Sequence, residues 1–395
     1  MIRIGVLSME FNREPKFNPK RLKEARLIRG LTISELAEVI GVSKQAVSQF
    51  ELGDITPKTE TVMAIINTLK FPKSFFYREF KEQNIGNTFF RANATATKKS
   101  KEAQYNKSLL AGYLYDYLSE YIEFPELNLP DISNFSTCDW DNESIEALAL
   151  QVREFWGIDD KPITNIVNLF ERNGIIVFSV NTESEKVDAF FQQRKGRPFI
   201  FLGNEKQSAS RRQFDGAHEL GHLLMHDYIH NQDILNSTEF KQMENQSNRF
   251  SSAFLLPAKP FAKTVTSTSL IHFIELKRYW NVSIAAMLYR CLDLKIIDES
   301  RYTSLVKQMS MKKMRTKEPL DDVIPLQEPV ILRKSVQLLL DKKIKNELEL
   351  IQEMSVPQEY IEMFCNLDSG SLNFKEPEPA IRLVNKGNNE SVLGE

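Results

Sequence analysis

Residues 215–230 read "DGAHELGHLLMHDYIH" and hold four of the chain's five histidines, each four residues after the last. Upstream, Ser210 and Gln213 have capping-box spacing, which predicts a helix running to about His226. On such a helix His218 and His222 lie one turn apart on the same face. Two imidazoles so placed can converge on one Zn2+ at about 2.0–2.1 Å. Glu219 points to the side of that pair and can reach an activated water. The pattern is H-E-x-x-H, two metal ligands and the general base of a metallohydrolase. Each further step of four residues rotates the helix about 40° past a full turn. His226 and His230 therefore drift off the face and read as surface or supporting residues, not ligands.

A catalytic zinc needs a third protein ligand and an open position. The helical stretch "TEFKQMENQSNRFSSAFLLP" (238–257) offers Glu244, four before Asn248 and beside an inward apolar stripe of Phe250, Phe254 and Leu255. Spacing alone also leaves Asp215, Asp227, Asp233 and Glu239 open. For a second electrophile, Tyr228, His226, His230 and His272 stay open as well. Before the histidine stretch, "IIVFSV", "VDAFFQQ" and "RPFIFL" are short β-branched and aromatic runs, which predict a small antiparallel sheet. The edge of the "RPFIFL" strand could pair with an extended substrate.

The first seventy residues carry a different signal. "NPKRLKEARLIRG" has Asn18 at an N-cap, Pro19 at the first helical position and Gly30 at the end. "TISELAEVIG" adds a capping box of Thr32 and Glu35, and Gly41 turns the chain into "SKQAVSQFE", capped by Ser43. Thr56-Pro57 opens a fourth helix. Two short helices joined at a glycine turn form a helix-turn-helix. Its second helix places Val47 and Phe50 inward and Lys44, Gln45, Ser48 and Gln49 outward, where amides and hydroxyls can read base edges of double-stranded DNA. Residues 13–29 hold seven Lys/Arg against two Glu, a balance suited to phosphate contacts.

The whole chain of 395 residues has a net charge of −2, which neither requires nor excludes a nucleic acid partner. Hydrophobic residues make up 42% and charged residues 26%, enough for two or three soluble cores. Cys138, Cys291 and Cys365 are far apart, an arrangement of reduced thiols in a cytoplasmic protein. No signal peptide or membrane-length apolar run is visible, so no membrane partner is expected.

Residues 18–71 resemble the XRE (Cro/C1-type) repressor family through "LTISELAEVIGVSKQAVSQFELGDITP". The resemblance implies a DNA-binding domain acting on an operator, often as a homodimer. Residues 88–310 resemble the ImmA/IrrE zinc metallopeptidases through "FFRANATATKKSKEA", "FIFLGNEKQSASRRQFDGAHELGHLLMH" and "ENQSNRFSSAFLLP". This second resemblance implies that His218, His222 and Glu244 hold Zn2+, that Glu219 is catalytic, and that the protein substrate is a repressor. Asp215-Gly216 and Ser251-Ser252 depart from the commoner residues of that family without touching a ligand.

The fold expected is multidomain and mainly α. A helix-turn-helix bundle (18–75) and a basic linker (76–107) precede an α+β zincin-like peptidase domain with a small sheet (108–310). A linker (311–330), a helical C-terminal region (331–375) and a polar tail (376–395) follow. Residues 276–297 superficially echo the helix-turn-helix but present apolar residues where a reading face would be, so they read as packing. Two other functions stay open: a transcription factor whose zinc domain is sensory or structural, and an antitoxin-like protein that mainly binds a partner.

Overall fold

The computed structural model describes residues 16–79, 85–92, 98–135, 139–180, 187–204, 208–227 and 236–373. The first five helices are α1 (Pro19–Ile28), α2 (Ile33–Ile40), α3 (Lys44–Leu52), α4 (Thr59–Leu69) and α5 (Lys73–Tyr77). Their ends follow the capping chemistry of the sequence. The Asn18 side chain accepts from Lys20 N at 3.1 Å, and Thr32 and Glu35 complete a reciprocal capping box. Gly41 takes the left-handed conformation (φ 71°) that the tight turn demands, and Ser43 caps α3. The fourth helix starts later than the Thr56-Pro57 signal suggests, with Lys58 at the cap and Pro57 buried. Leu22, Leu36, Val47, Ile65 and Leu69 close the bundle's core.

The basic segment of α1 is spent differently from the sequence expectation. Arg21 pairs with Glu24 at 2.6 Å, and Arg26 pairs with Glu51 at 2.5 Å. Arg29 donates to the Leu69 carbonyl and pairs with Glu359 of the C-terminal region. A guanidinium makes several donations at once, so these arginines hold the bundle together. Lys16, Lys20 and Lys23 are exposed.

Next come β1 (Ile85–Ala92), α6 (Lys98–Leu118), α7 (Asn142–Phe155), α8 (Ile166–Arg172), β2 (Ile176–Val180), β3 (Val187–Arg194) and β4 (Arg197–Gly203). The sheet runs in the order β1-β3-β4-β2 and is mixed, because β2 lies parallel to β4. The antiparallel sheet expected from the sequence is thus corrected at that pair. β4 is bonded on both sides, to β3 and β2, so it offers no edge to a substrate strand. The stretch read as a basic linker (76–107) contains β1, bonded antiparallel to β3, and the start of α6.

Both faces of this sheet are buried. Val177, Ala189, Phe191, Ile200 and Leu202 face one core, together with the helices that follow. Ile176, Phe178, Phe190, Phe199 and Phe201 face a second core. A strand covered on two sides must be apolar at successive positions, which is why "RPFIFL" lacks the alternation of a half-exposed strand.

The first core is completed by α9 (Ala209–His226), α10 (Ser237–Leu255), α11 (Ala258–Thr264), α12 (Leu270–Trp280), α13 (Ile284–Asp293) and α14 (Glu299–Met311). Buried Arg290 of α13 ties this core to α7 and to the end of α10: it pairs with Glu146 of α7 at 2.5 Å and donates to the carbonyl of Leu256, the C-cap of α10, at 3.0 Å. The second core is filled by α6, the first bundle, and α15 (Ile331–Asp341), α16 (Glu347–Met354) and α17 (Gln358–Phe364). The C-terminal helices dock on the first bundle through Arg29, which lies 5.2 Å over the Tyr360 ring, and through Arg78, which donates to the Met354 carbonyl at 2.6 Å.

The expected linker at 311–330 is anchored along its length. Buried Lys277 pairs with Glu318 at 2.8 Å and Asp321 at 2.7 Å. Gln327 donates to Gln213 and accepts from Ile166 N. The polar tail from 376 lies outside the described residues, as do Tyr228, His230, Asp233 and Cys138. Cys291 and Cys365 are free and buried.

Candidate functional site

Helix α9 begins one residue before Ser210, with Ser208 at its cap and no side-chain capping bond. The Ser210–Gln213 capping box is therefore corrected. The Gln213 amide donates instead to the Ile163 carbonyl at 2.6 Å, so it serves packing between elements. The helix ends at His226, as its periodicity requires, and all three of its histidines are buried.

His218 and His222 converge on Glu244 of the neighbouring helix α10. The two Nε2 atoms are 2.9 Å apart, and Glu244 Oε1 lies 3.1 Å from His222 Nε2. Glu244 Oε2 lies 3.5 Å from His218 Nε2. Among the described residues, this is the group of His, Cys, Asp and Glu side chains that could hold a metal ion.

The other carboxylates left open by the sequence are engaged elsewhere. Asp215 faces Arg211 at 3.7 Å, Asp227 accepts from Gln193 at 3.3 Å, and Glu239 caps the start of α10. His272 sits in α12, with Nε2 2.9 Å from the Thr264 carbonyl.

The donor set fits a zinc ion. His218 Nδ1 faces Asn248 Oδ1 at 3.0 Å, so the ring donates there and directs the Nε2 lone pair inward. His222 and His218 thus aim nitrogens at each other and at a carboxylate, with separations of 2.9–3.5 Å. Two lone pairs and an anion at that spacing repel unless a cation lies between them. Imidazole and carboxylate are the ligand types borderline-soft zinc prefers. Glu219, one residue beyond His218, is fully buried in the same helix. The side chain of Glu244 is 21% exposed, which gives the cluster its contact with solvent.

Gly221 lets the two helices approach. A Cβ there would stand 3.1 Å from a ring carbon of Phe250 and 3.3 Å from Ser247 Cα on α10. The sequence reading missed this role, and those of Asn248 and Gln246. The spacing of four puts Glu244 and Asn248 on one face of α10, but Gln246 lies off that face and had no signal in the sequence.

A groove of about 960 Å³ has none of His218, Glu219, His222 and Glu244 in its lining. It is lined by residues such as Arg211, Phe214, Arg315, Lys317 and Asp322, with mixed charge and no metal-binding set. On the first bundle, Lys44, Gln45 and Gln49 of α3 are exposed and Ser48 is half-buried, on the face opposite Val47 and Phe50. Among the described residues no helix is long and apolar enough to cross a membrane.

Residues 22–76 match the family model for a helix-turn-helix, and residues 170–292 match the model for the IrrE N-terminal-like domain of a peptidase family. No curated protein matches the chain. Among solved structures, a Mycobacterium tuberculosis transcriptional regulator is 16% identical over 47% of this chain, with a TM-score of 0.29. The chain spans about half, 51%, of that regulator's length. The Bacillus thuringiensis PlcR structure with the peptide PapR7 and DNA is 15% identical, covering 74% of this chain and 92% of its own, with a TM-score of 0.14. The chain thus joins an XRE-type helix-turn-helix domain to a domain of the ImmA/IrrE-like peptidase family.

Proposed function

We propose that this chain is a DNA-binding regulator whose second domain is a zinc-dependent endopeptidase acting on a regulatory protein, with a helix-turn-helix repressor as the substrate class. The observation that carries the reading is the convergence of His218, His222 and Glu244 beside Glu219. A structural zinc site needs ligands and no base; this helix supplies both.

Zinc held by these three side chains would supply Lewis acidity, acidifying a water and polarising a carbonyl. The protein's own part is proton transfer and orientation. Glu219 takes the proton of the water that attacks the peptide carbonyl carbon, then delivers it to the amide nitrogen as the C–N bond breaks. Asn248 holds the His218 ring in its working tautomer. On the DNA side, Gln45, Ser48 and Gln49 read base edges while Lys44 contacts phosphate, and a homodimer would match a two-fold operator.

A second reading, a sensory or structural zinc site, draws on the burial of Glu219 and both histidines. One experiment separates the two. Zinc content is measured on wild type and Glu219→Gln, with a helix-turn-helix repressor as the cleavage substrate. One zinc in each, with cutting by wild type alone, supports the peptidase. Zinc in each with no cutting by either favours the sensor, and no zinc in either removes the site.

A further inference from the structure

The third histidine of the opening stretch lies in a chain of hydrogen bonds that ends on a backbone carbonyl. Gln246 Nε2 lies 3.2 Å from the Trp140 carbonyl oxygen, an atom that can only accept. This fixes the amide: the nitrogen faces Trp140 and Oε1 faces His226, 3.0 Å from its Nε2. His226 must therefore carry its proton on Nε2. A neutral ring with that proton has a bare Nδ1, and this atom stands 3.0 Å from His222 Nδ1. The only complementary arrangement has His222 donating from Nδ1. Its Nε2 is then a lone pair, directed at Glu244 and His218.

From this geometry we infer that His226 is a positioning residue, which with Gln246 locks His222 in the tautomer that can bind a metal. The inference rests on the zinc-site reading above. The arrangement departs from the common one, in which a ligating imidazole donates to a carboxylate or a backbone carbonyl. Here a neutral imidazole accepts instead, and a distant carbonyl sets its orientation through an amide. His226 lies off the ligand face, as its rotation along α9 requires, and acts through His222. The partners are spread over α9, α10 and the segment before α7, and they act on His222 in series, through its contact with His226 Nδ1.

The test compares His226→Phe, which keeps ring volume without an acceptor, with His226→Asn, whose Oδ1 can take the place of Nδ1. Zinc affinity is read by competition with a chromogenic chelator on the full chain. His226→Phe should weaken zinc binding about 10- to 100-fold, the usual effect of losing such a partner. His226→Asn should recover most of it. Zinc binding by His226→Phe as tight as, or tighter than, that by His226→Asn would overturn the inference, because a purely structural role depends on volume, which phenylalanine keeps. A second readout needs no metal: nitrogen-15 correlation spectra of the metal-free wild type should show His222 protonated at Nδ1. Finding its proton on Nε2 would also overturn the inference. If His226→Phe does not fold, Gln246→Met tests the same chain of bonds and should weaken zinc binding, while unchanged affinity counts against it. Failure of the zinc-site reading looks different, since wild type itself would then bind no zinc.

Discussion

Gly221→Ala tests whether the close crossing of α9 and α10 sets the geometry of the candidate metal site. The added methyl would meet Phe250 at 3.1 Å and 3.4 Å and the Ser247 Cα at 3.3 Å, so the neighbouring helix must give by a few tenths of an ångström. Two effects oppose each other. Alanine improves helix propensity by about 1 kcal/mol, while overpacking a tight contact costs about 1–3 kcal/mol. Without metal, α10 can yield and relieve the overpacking, so stability should stay within about 1 kcal/mol of wild type. Zinc binding draws Glu244, one turn before Ser247, back toward His218 and His222. The strain then falls on metal binding, and about 1–3 kcal/mol corresponds to roughly 5- to 150-fold weaker affinity. Urea unfolding in chelator measures the first quantity, and chelator competition measures the second. An affinity within twofold of wild type would refute the reasoning, showing that the crossing distance does not limit the site.

Two further expectations concern DNA binding and acid stability. Gln45→Ala and Gln49→Ala should each weaken binding to a cognate operator by about 1–3 kcal/mol and leave the salt dependence unchanged, whereas Lys44→Ala should reduce the salt slope by about 1; salt titrations on cognate and random duplexes check this, and equal losses on both duplexes for the glutamine variants would exclude base reading. Burial raises the Glu146 carboxyl, but Arg290 and Arg249 outweigh it and the net shift is downward. A depressed folded-state value means the stabilisation is complete above the unfolded value of about 4.3 and is lost as pH falls below it. Glu146→Gln should therefore flatten the acid limb of a stability profile measured from pH 5 downward, and an unchanged slope would show that the pair with Arg290 does not contribute there.

The sequence expressed some parts of this architecture through local chemistry. Caps at Asn18, Thr32 and Ser43 announce the first bundle, because a capping bond joins residues two or three apart and needs no tertiary partner. The two histidines one turn apart are likewise set by helical repeat, whereas Glu244, on the neighbouring helix α10, was singled out from the other carboxylates by the family resemblance alone. What escaped depends on distant segments. Gln213 looked like a cap because its spacing fitted, yet its amide is used by Ile163 and Gln327, far away in the chain. The turn between α16 and α17 gave no glycine signal, since Ser355 takes the left-handed conformation itself (φ 55°). With that turn included, α16 and α17 repeat the α2–α3 arrangement: a capping box, a left-handed residue, then a second helix. The second unit turns its helix inward, where Glu362 accepts backbone donors from Gly370 and Leu372.

The continuous apolar strands were the clue to the larger organisation. A strand with Phe199 and Phe201 on one face and Ile200 and Leu202 on the other needs a covering layer on each side. The helix carrying His218 and His222 supplies one layer. The other is built by α6, the C-terminal helices and the DNA-binding bundle, joined by contacts such as Phe178 with Phe364, 5.7 Å between ring centres, and Phe71 with Tyr360, 6.1 Å. Arg29 and Arg78 add charged and polar ties from the bundle to the same helices. The DNA-binding bundle is therefore connected to the peptidase-family domain through packed side chains as well as through the chain itself. Because such interiors are close-packed, a change of side-chain volume at the sheet is felt on both of its faces. Substitutions at Phe199 or Phe201 act first on the side of the DNA-binding bundle, and those at Ile200 or Leu202 on the side of the histidine helix, from neighbouring positions of one strand.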